Sequence, residues 1–131
     1  MTYYLGKLSK SEYLILKDQN KIKLNFKTTC FQGTKQFFQT KYLNVLNPDN
    51  TIYNLETEIQ EFVKDKLSGL ELKSNIIFNQ RQFLQFKIDS NVVIEPETKI
   101  NLDIEIDKIK INEKTKTYQI LLNLIKFEIL Q

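Results

Sequence analysis

Asp103, Glu105 and Asp107 stand at i, i+2 and i+4. On a β-strand that spacing puts all three carboxylates on one face, an arrangement that could hold Mg²⁺. Neighbours in such a row lie about 7 Å apart, further than the shell of one ion easily spans. Lys108, Lys110, Lys114 and Lys116 are at hand as cross-strand partners. A solvated face of paired charges is therefore the expectation, and no metal is assigned. Histidine is absent, which removes the usual general base and the usual metal ligand. Cys30 is the only cysteine, so there is no intrachain disulfide, no cysteine cluster for zinc and no cysteine–histidine dyad. Its alternation with Thr28 and Gln32 reads as a small strand residue. Gly6, Gly33 and Gly69 are isolated, so no glycine-rich loop is set up to cradle phosphate. The chain is expected to be non-catalytic and to need no cofactor.

Binding chemistry has more support. A protein that holds single-stranded nucleic acid needs cations along a groove and aromatic faces on which bases stack. The stretch from Lys21 to Tyr42 supplies both, with Lys21, Lys23, Lys27, Lys35 and Lys41 among Phe31, Phe38 and Tyr42. Arg81, Phe83 and Lys87 make a second cluster. Phe38 and Tyr42 share a strand parity and are expected to flank one groove. Each stacked base contributes roughly 1–3 kcal/mol. Against this, Phe and Tyr in a β protein are most often core residues. Net charge is only +3, but residues 1–50 hold eight lysines against Glu12, Asp18 and Asp49, whereas residues 51–75 are net acidic. The front part of the chain is the expected polyanion surface.

The elements that must position these residues are mainly β. At 131 residues the chain is read as one domain, 1–131, large enough for a real core. Residues 12–17 and 21–27 are apolar or alternating runs around Asp18-Gln19-Asn20, which reads as a hairpin. In the second run Ile22, Leu24 and Phe26 face inward and the lysines outward. Residues 28–33 continue extended to a bend or bulge at Gly33, and residues 36–46 read as another long strand. Asn47-Pro48-Asp49-Asn50 is a strong turn. One amphipathic helix is expected at about 54–67, with Asn54 as its N-cap, Leu55, Ile59, Phe62, Val63 and Leu67 on one stripe, and Ser68-Gly69 as its stop. Residues 83–88 alternate again.

The last third reads as two long strands, about 100–111 and 118–130. Each changes parity once, near Lys108 in the first and between Leu124 and Ile125 in the second. A parity change marks a bulge or a strong coil, which lets one strand serve two sides of a closed sheet. The expected fold is therefore an OB-like small antiparallel barrel with one amphipathic helix. The alternative is a β-sandwich or jelly roll.

The order of elements resembles small OB-fold single-stranded DNA-binding proteins of DNA viruses and linear plasmids. The residues that carry the resemblance are the helix from Leu55 to Leu67 and the closing pair INLDIEIDKIKINEKTKTYQILLNLIKFEIL. It covers roughly residues 20–130 and implies a replication-associated protein whose partner is single-stranded DNA or RNA. Bacterial relatives end in an acidic recruiting tail, whereas here the sequence stops within a strand at Leu130-Gln131. The chain also looks like the small OB subunits of replication, transcription and telomere complexes, which act chiefly in assembly. That implies a homo-oligomer or a protein partner held through the C-terminal strand or the helix. No apolar run approaches the roughly 20 residues that cross a bilayer, and no signal core is present, so an intracellular protein without membrane contact is expected. Alanine and tryptophan are absent and Arg81 is the only arginine against eighteen lysines, a bias suited to an AT-rich genome.

Overall fold

The computed structural model describes residues 2–130 except 38, 39 and 90; for residues 32, 33 and 35–37 it describes the backbone alone. Strands β1 (Tyr3–Lys7), β2 (Glu12–Lys17), β3 (Ile22–Phe37) and β4 (Thr40–Leu46) precede helix α1 (Thr51–Val63). After it come β5 (Glu71–Leu72), β6 (Ile77–Asn79), β7 (Arg81–Ile88), β8 (Lys99–Ile106), β9 (Lys108–Asn112), β10 (Thr117–Ile120) and β11 (Asn123–Ile129). The chain is mainly β with one helix, as the alternation predicts. The strands form a five-stranded sheet ordered β1-β2-β9-β10-β5 and a six-stranded sheet ordered β11-β8-β3-β4-β7-β6. All described ladders are antiparallel except β5 on β10.

The parity changes explain why there are two sheets. Ile100, Leu102, Ile104 and Ile106 are buried from β8, and Ile109 and Ile111 from β9. The chain shifts face at Asp107, between the two strands, and passes from the larger sheet into the smaller one. Its neighbour makes the reverse passage, with β10 pairing to β9, a break at Leu121–Leu122, and β11 pairing to β8. A bulge between Leu124 and Lys126 sits at the second parity change. The expected closure does not follow. The shifted strands divide between two sheets, and β11 and β6 end the larger one, with no ladder joining them among the described residues. A closed barrel is therefore corrected to two sheets that share bent strands. The switch of face diverts each strand to new partners before the ring can close.

Three further expectations are corrected. β2 and β3 are not a hairpin: Asp18 and Gln19 take positive φ, only the Lys17–Asn20 bridge forms, and β2 pairs with β1 and β9. β3 pairs with β8 through Thr29 and then with β4 from Cys30, so residues 36–46 span a reversal and not one strand. Its register on β4 shifts between Cys30 and Thr34, across the glycine predicted to bend. The helix begins at Thr51, not near Asn54, because the Asp49 carboxylate accepts the Thr51 N–H at 2.8 Å and satisfies one of the free donors of the first turn. Hydrogen bonding from Thr51, its side chain first and its N–H second, holds the Asp49 carboxyl below the usual carboxylate range. The helix ends at Val63, and Leu67 is buried in the turn before Gly69, whose φ of +86° suits glycine.

Ile52, Leu55, Ile59 and Val63 of α1 join the same core as Cys30, Leu43, Val45, Leu84 and the β8 isoleucines. Burying each such side chain contributes about 1.5–3 kcal/mol. One buried carboxylate, Glu56, sits among them and is fully engaged. It accepts from Ser74 Oγ at 2.6 Å, Asn75 N–H at 2.8 Å and Asn75 Nδ2 at 3.0 Å. Asn75 Nδ2 also donates to Ile120 O, and Asn75 Oδ1 accepts from Gln119 Nε2. The helix thereby anchors the 73–76 segment against β10.

Candidate nucleic-acid interface

The sequence-predicted cations divide by what the fold puts beside them. Lys21 pairs with Glu105 at 3.2 Å and Asp107 at 3.6 Å, and its bond to Glu105 raises its pKa. Lys23 is the ladder partner of Glu105. Asp103 accepts from Asn25 at 2.6 Å and pairs with Lys126 at 3.6 Å. The carboxylate row of β8 and the lysine row of β3 thus face each other across one ladder, and the most basic-looking strand is largely neutralised.

The aromatic set divides as well. Phe31 and Phe83 are 9% and 7% exposed and lie ring against ring at 5.3 Å, so neither offers a face to a base. Their removal from the candidate set has a plain cause. They come from β3 and β7, the strands on either side of β4, and two apolar rings there cover each other. Lys41 is 8% exposed, and its ammonium donates to Val92 O at 2.7 Å, so it is a structural tie. Phe38 lies outside the described residues. For Lys35 only the backbone is described; it stands opposite Tyr42 in the β3–β4 ladder. Tyr42 is half-buried and faces Lys87 across the β4–β7 ladder. Lys27 and Arg81 are brought together in a separate cleft of about 390 Å³.

One broad concavity among the described residues is not singled out by the sequence. A cleft of about 870 Å³ is lined by Lys10, Lys73, Lys110 and Lys114, with Glu113 the one carboxylate residue in its wall. Ser11, Asn112, Thr115, Thr117 and Gln119 add neutral hydrogen-bonding groups. A second cleft, of about 650 Å³, is lined by Tyr42, Asn75, Gln85, Lys87 and Asn123 among others. Lys110 and Gln119 line both, so the two clefts adjoin. Among the described residues none of these lysines is in an ion pair.

Local structure positions each group. The β9–β10 hairpin turns on Asn112, whose Oδ1 accepts from Lys114 N–H at 3.1 Å and Thr115 N–H at 3.2 Å. This side-chain turn presents Lys114 at the tip. Lys110 alternates outward between buried Ile109 and Ile111. Gln119 is its ladder partner, and Lys73 N–H donates to Tyr118 O one residue before Gln119. Ile111 N–H donates to Ser11 O, which brings Lys10 to the same wall. The Glu56–Asn75–Gln119 chain of hydrogen bonds fixes the amide at the junction of the clefts. Tyr118 lies beneath, its pKa raised by burial and by the Glu56 charge. A signal for this wall was present in the sequence, since Lys110 and Lys114 bracket a turn beside an apolar alternation. The same lysines are the cross-strand partners that the sequence offers to the Asp103 row, and among the described residues they form no ion pair with it.

Among the described residues no group of three histidine, cysteine, aspartate or glutamate side chains is placed to hold a metal ion, and no helix is long and apolar enough to cross a membrane. Comparison with protein-family models, curated proteins and solved structures found no match for this chain.

Proposed function

We propose that the protein binds single-stranded nucleic acid without catalysis, along the two adjoining clefts. One observation carries the reading. Lys10, Lys73, Lys110, Lys114 and Lys87 line a continuous concave surface with Glu113 as its one carboxylate, and Tyr42 stands at the far end. Unpaired ammonium groups contact phosphates, Tyr42 stacks a base, and the neutral amides and hydroxyls tolerate any sequence. DNA in a replication setting is the partner that the resemblance favours. An OB-type reading of the fold draws support from the five successive strands β11, β8, β3, β4 and β7 of the larger sheet, of which the first and the last both line the second cleft. A five-stranded, partly open barrel is the architecture of that family.

The test is fluorescence anisotropy with labelled single strands and a duplex across a salt series. Four or five phosphate contacts predict a log–log salt slope of about −3. Failure of single strands to bind at low salt overturns the reading.

A second reading, an assembly subunit of a replication, transcription or telomere complex, draws on the β11 edge. That strand ends its sheet and exposes Ile125 and Ile129. The bulge at Ile125 and the charge of Lys126 both discourage pairing with another strand, which favours the first reading. A stable oligomer in sedimentation, with no affinity for oligonucleotides, would reverse that preference.

A further inference from the structure

The cleft that joins Lys27 to Arg81 shares no lining residue with the lysine-lined groove, yet Arg81 here and Lys87 there lie on the same outward face of β7. Along β4 and β7 that face is a row of ladder rungs. Tyr42–Lys87 comes first, then Asn44–Gln85, which are hydrogen-bonded at 3.1 Å, then Leu46–Phe83. Arg81 continues the outward parity of Lys87, Gln85 and Phe83. Lys27 has the outward parity of β3, with Lys23 and Asn25. Six residues of strand separate Lys87 from Arg81, about 20 Å. The two ends of this row are therefore cationic and its middle is neutral.

The cleft itself is about 390 Å³ and is lined by Lys27, Arg81, Thr28, Thr29, Asn47 and Gln82 among others, none of them acidic. Among the described residues neither Lys27 nor Arg81 forms an ion pair. This differs from Lys23 on the same strand, and from Lys21 just before it, which face Glu105 and Asp107. The difference follows from register. Lys27 stands opposite Asn101, the neutral position of the β8 row. Arg81 follows Gln80, a positive-φ residue between β6 and β7, so its guanidinium sits at a turn beside the chain reversal at Asn47-Pro48. A guanidinium and an ammonium across a carboxylate-free cleft match a phosphate, which the planar fork of Arg81 can bind with two parallel hydrogen bonds.

We propose that the Lys27–Arg81 cleft is a backbone-phosphate site for the same single strand, reached along the outward row of β7 after the strand leaves the groove at Tyr42 and Lys87. The inference rests on the single-strand reading of the groove and extends it to a longer track with a defined end. It makes affinity depend on oligonucleotide length.

Anisotropy with dT oligonucleotides of increasing length separates the two ideas. The wild-type chain, the Lys27→Gln/Arg81→Gln variant and the Lys110→Gln/Lys114→Gln variant are compared. The expected result is that the cleft variant matches wild type on the shortest oligonucleotides. On the longest it loses about tenfold, with a salt slope shallower by about 1.4, the value for two lost single-strand contacts. The groove variant loses affinity at every length. Wild-type binding with no difference for the cleft variant at any length overturns this inference alone. Absence of wild-type binding at all lengths overturns the groove reading and this one with it. Both cleft residues are exposed, and urea unfolding of the variant verifies that the fold is retained.

Discussion

Two lysine-bearing surfaces behave in opposite ways. On the β3–β8 face, Lys21 lies against Glu105 and Asp107, Lys23 stands opposite Glu105, and Lys126 reaches Asp103. On the groove wall, Lys10, Lys73 and the Lys110–Lys114 hairpin come from three separate stretches of chain; Glu113 is the one carboxylate residue lining the cleft, and Glu12 stands opposite Lys110 in the β2–β9 ladder without an ion pair between them among the described residues. The first region looks basic in sequence and is neutralised in space. The second comes largely from segments whose charges balance in sequence, and in space it is basic. A run of like charges on one strand says little about surface potential, because the neighbouring strand supplies half of each row.

The comparison can be broken hardest at its support. Replacing Glu56 by Ala should remove three hydrogen bonds from a buried carboxylate and leave Ser74 and the Asn75 donors unsatisfied. A loss of about 3 kcal/mol in urea unfolding is expected. Because Asn75 holds Gln119, the groove should weaken as well, and unchanged stability would refute the anchoring role. Next in size is the groove itself. Lys110→Gln with Lys114→Gln should cost single-strand affinity about tenfold and flatten the salt slope by about 1.4. Tyr42→Ala should cost about 1–2 kcal/mol of binding, with Tyr42→Phe close to wild type, since the ring face and not the hydroxyl does the stacking. Lys21→Gln, on the neutralised face, should change affinity less than twofold; a loss matching the groove variant would erase the distinction between the two regions.

The smallest effect lies outside both regions and serves as a control on stability. Tyr3 packs on Phe62, and its hydroxyl donates to Glu58 at 3.2 Å. Burial, then the Glu58 charge and hydrogen bond, push its pKa up to about 12 from 10. The fold therefore favours the neutral phenol. That contribution is fully present below pH 10 and is lost as pH rises from 10 to about 12. Thermal stability should fall over that window in wild type and fall less in Tyr3→Phe, whereas an equal fall in both would remove Tyr3 from the account.

Much of the local structure was legible in the chain. The alternation of Ile22, Leu24 and Phe26 gave the inner row of β3, and the stripe at Leu55, Ile59 and Val63 gave the buried side of α1. The parity changes near Lys108 and Ile125 marked a true break and a true bulge. The consequence drawn from them, closure into a barrel, did not follow, because a switch of face is equally a way to enter a second sheet. The hairpin read around Asp18-Gln19-Asn20 failed for a related reason: the turn is present, but β1 and β9 compete for β2. For the candidate site, the sequence names Tyr42 and Lys27 in one cluster and Lys87 and Arg81 in another; the β4–β7 ladder and the smaller cleft join members of the two, and Phe31 and Phe83, offered as stacking candidates against a core alternative, pack on each other.

The sequence by itself determined where strands and helix form and which side of each is apolar, since side chains two apart on a strand, or three to four apart on a helix, sort by local geometry. It also determined that no histidine or thiol pair is available for catalysis. Only the tertiary structure decided which charges neutralise one another. Asn25 meets Asp103 across 78 residues of chain, and Lys110 meets Glu12 on one side and Gln119 on the other. Such registers depend on how the sheets share their bent strands, and electrostatic potential is set by what those registers bring within a few ångströms.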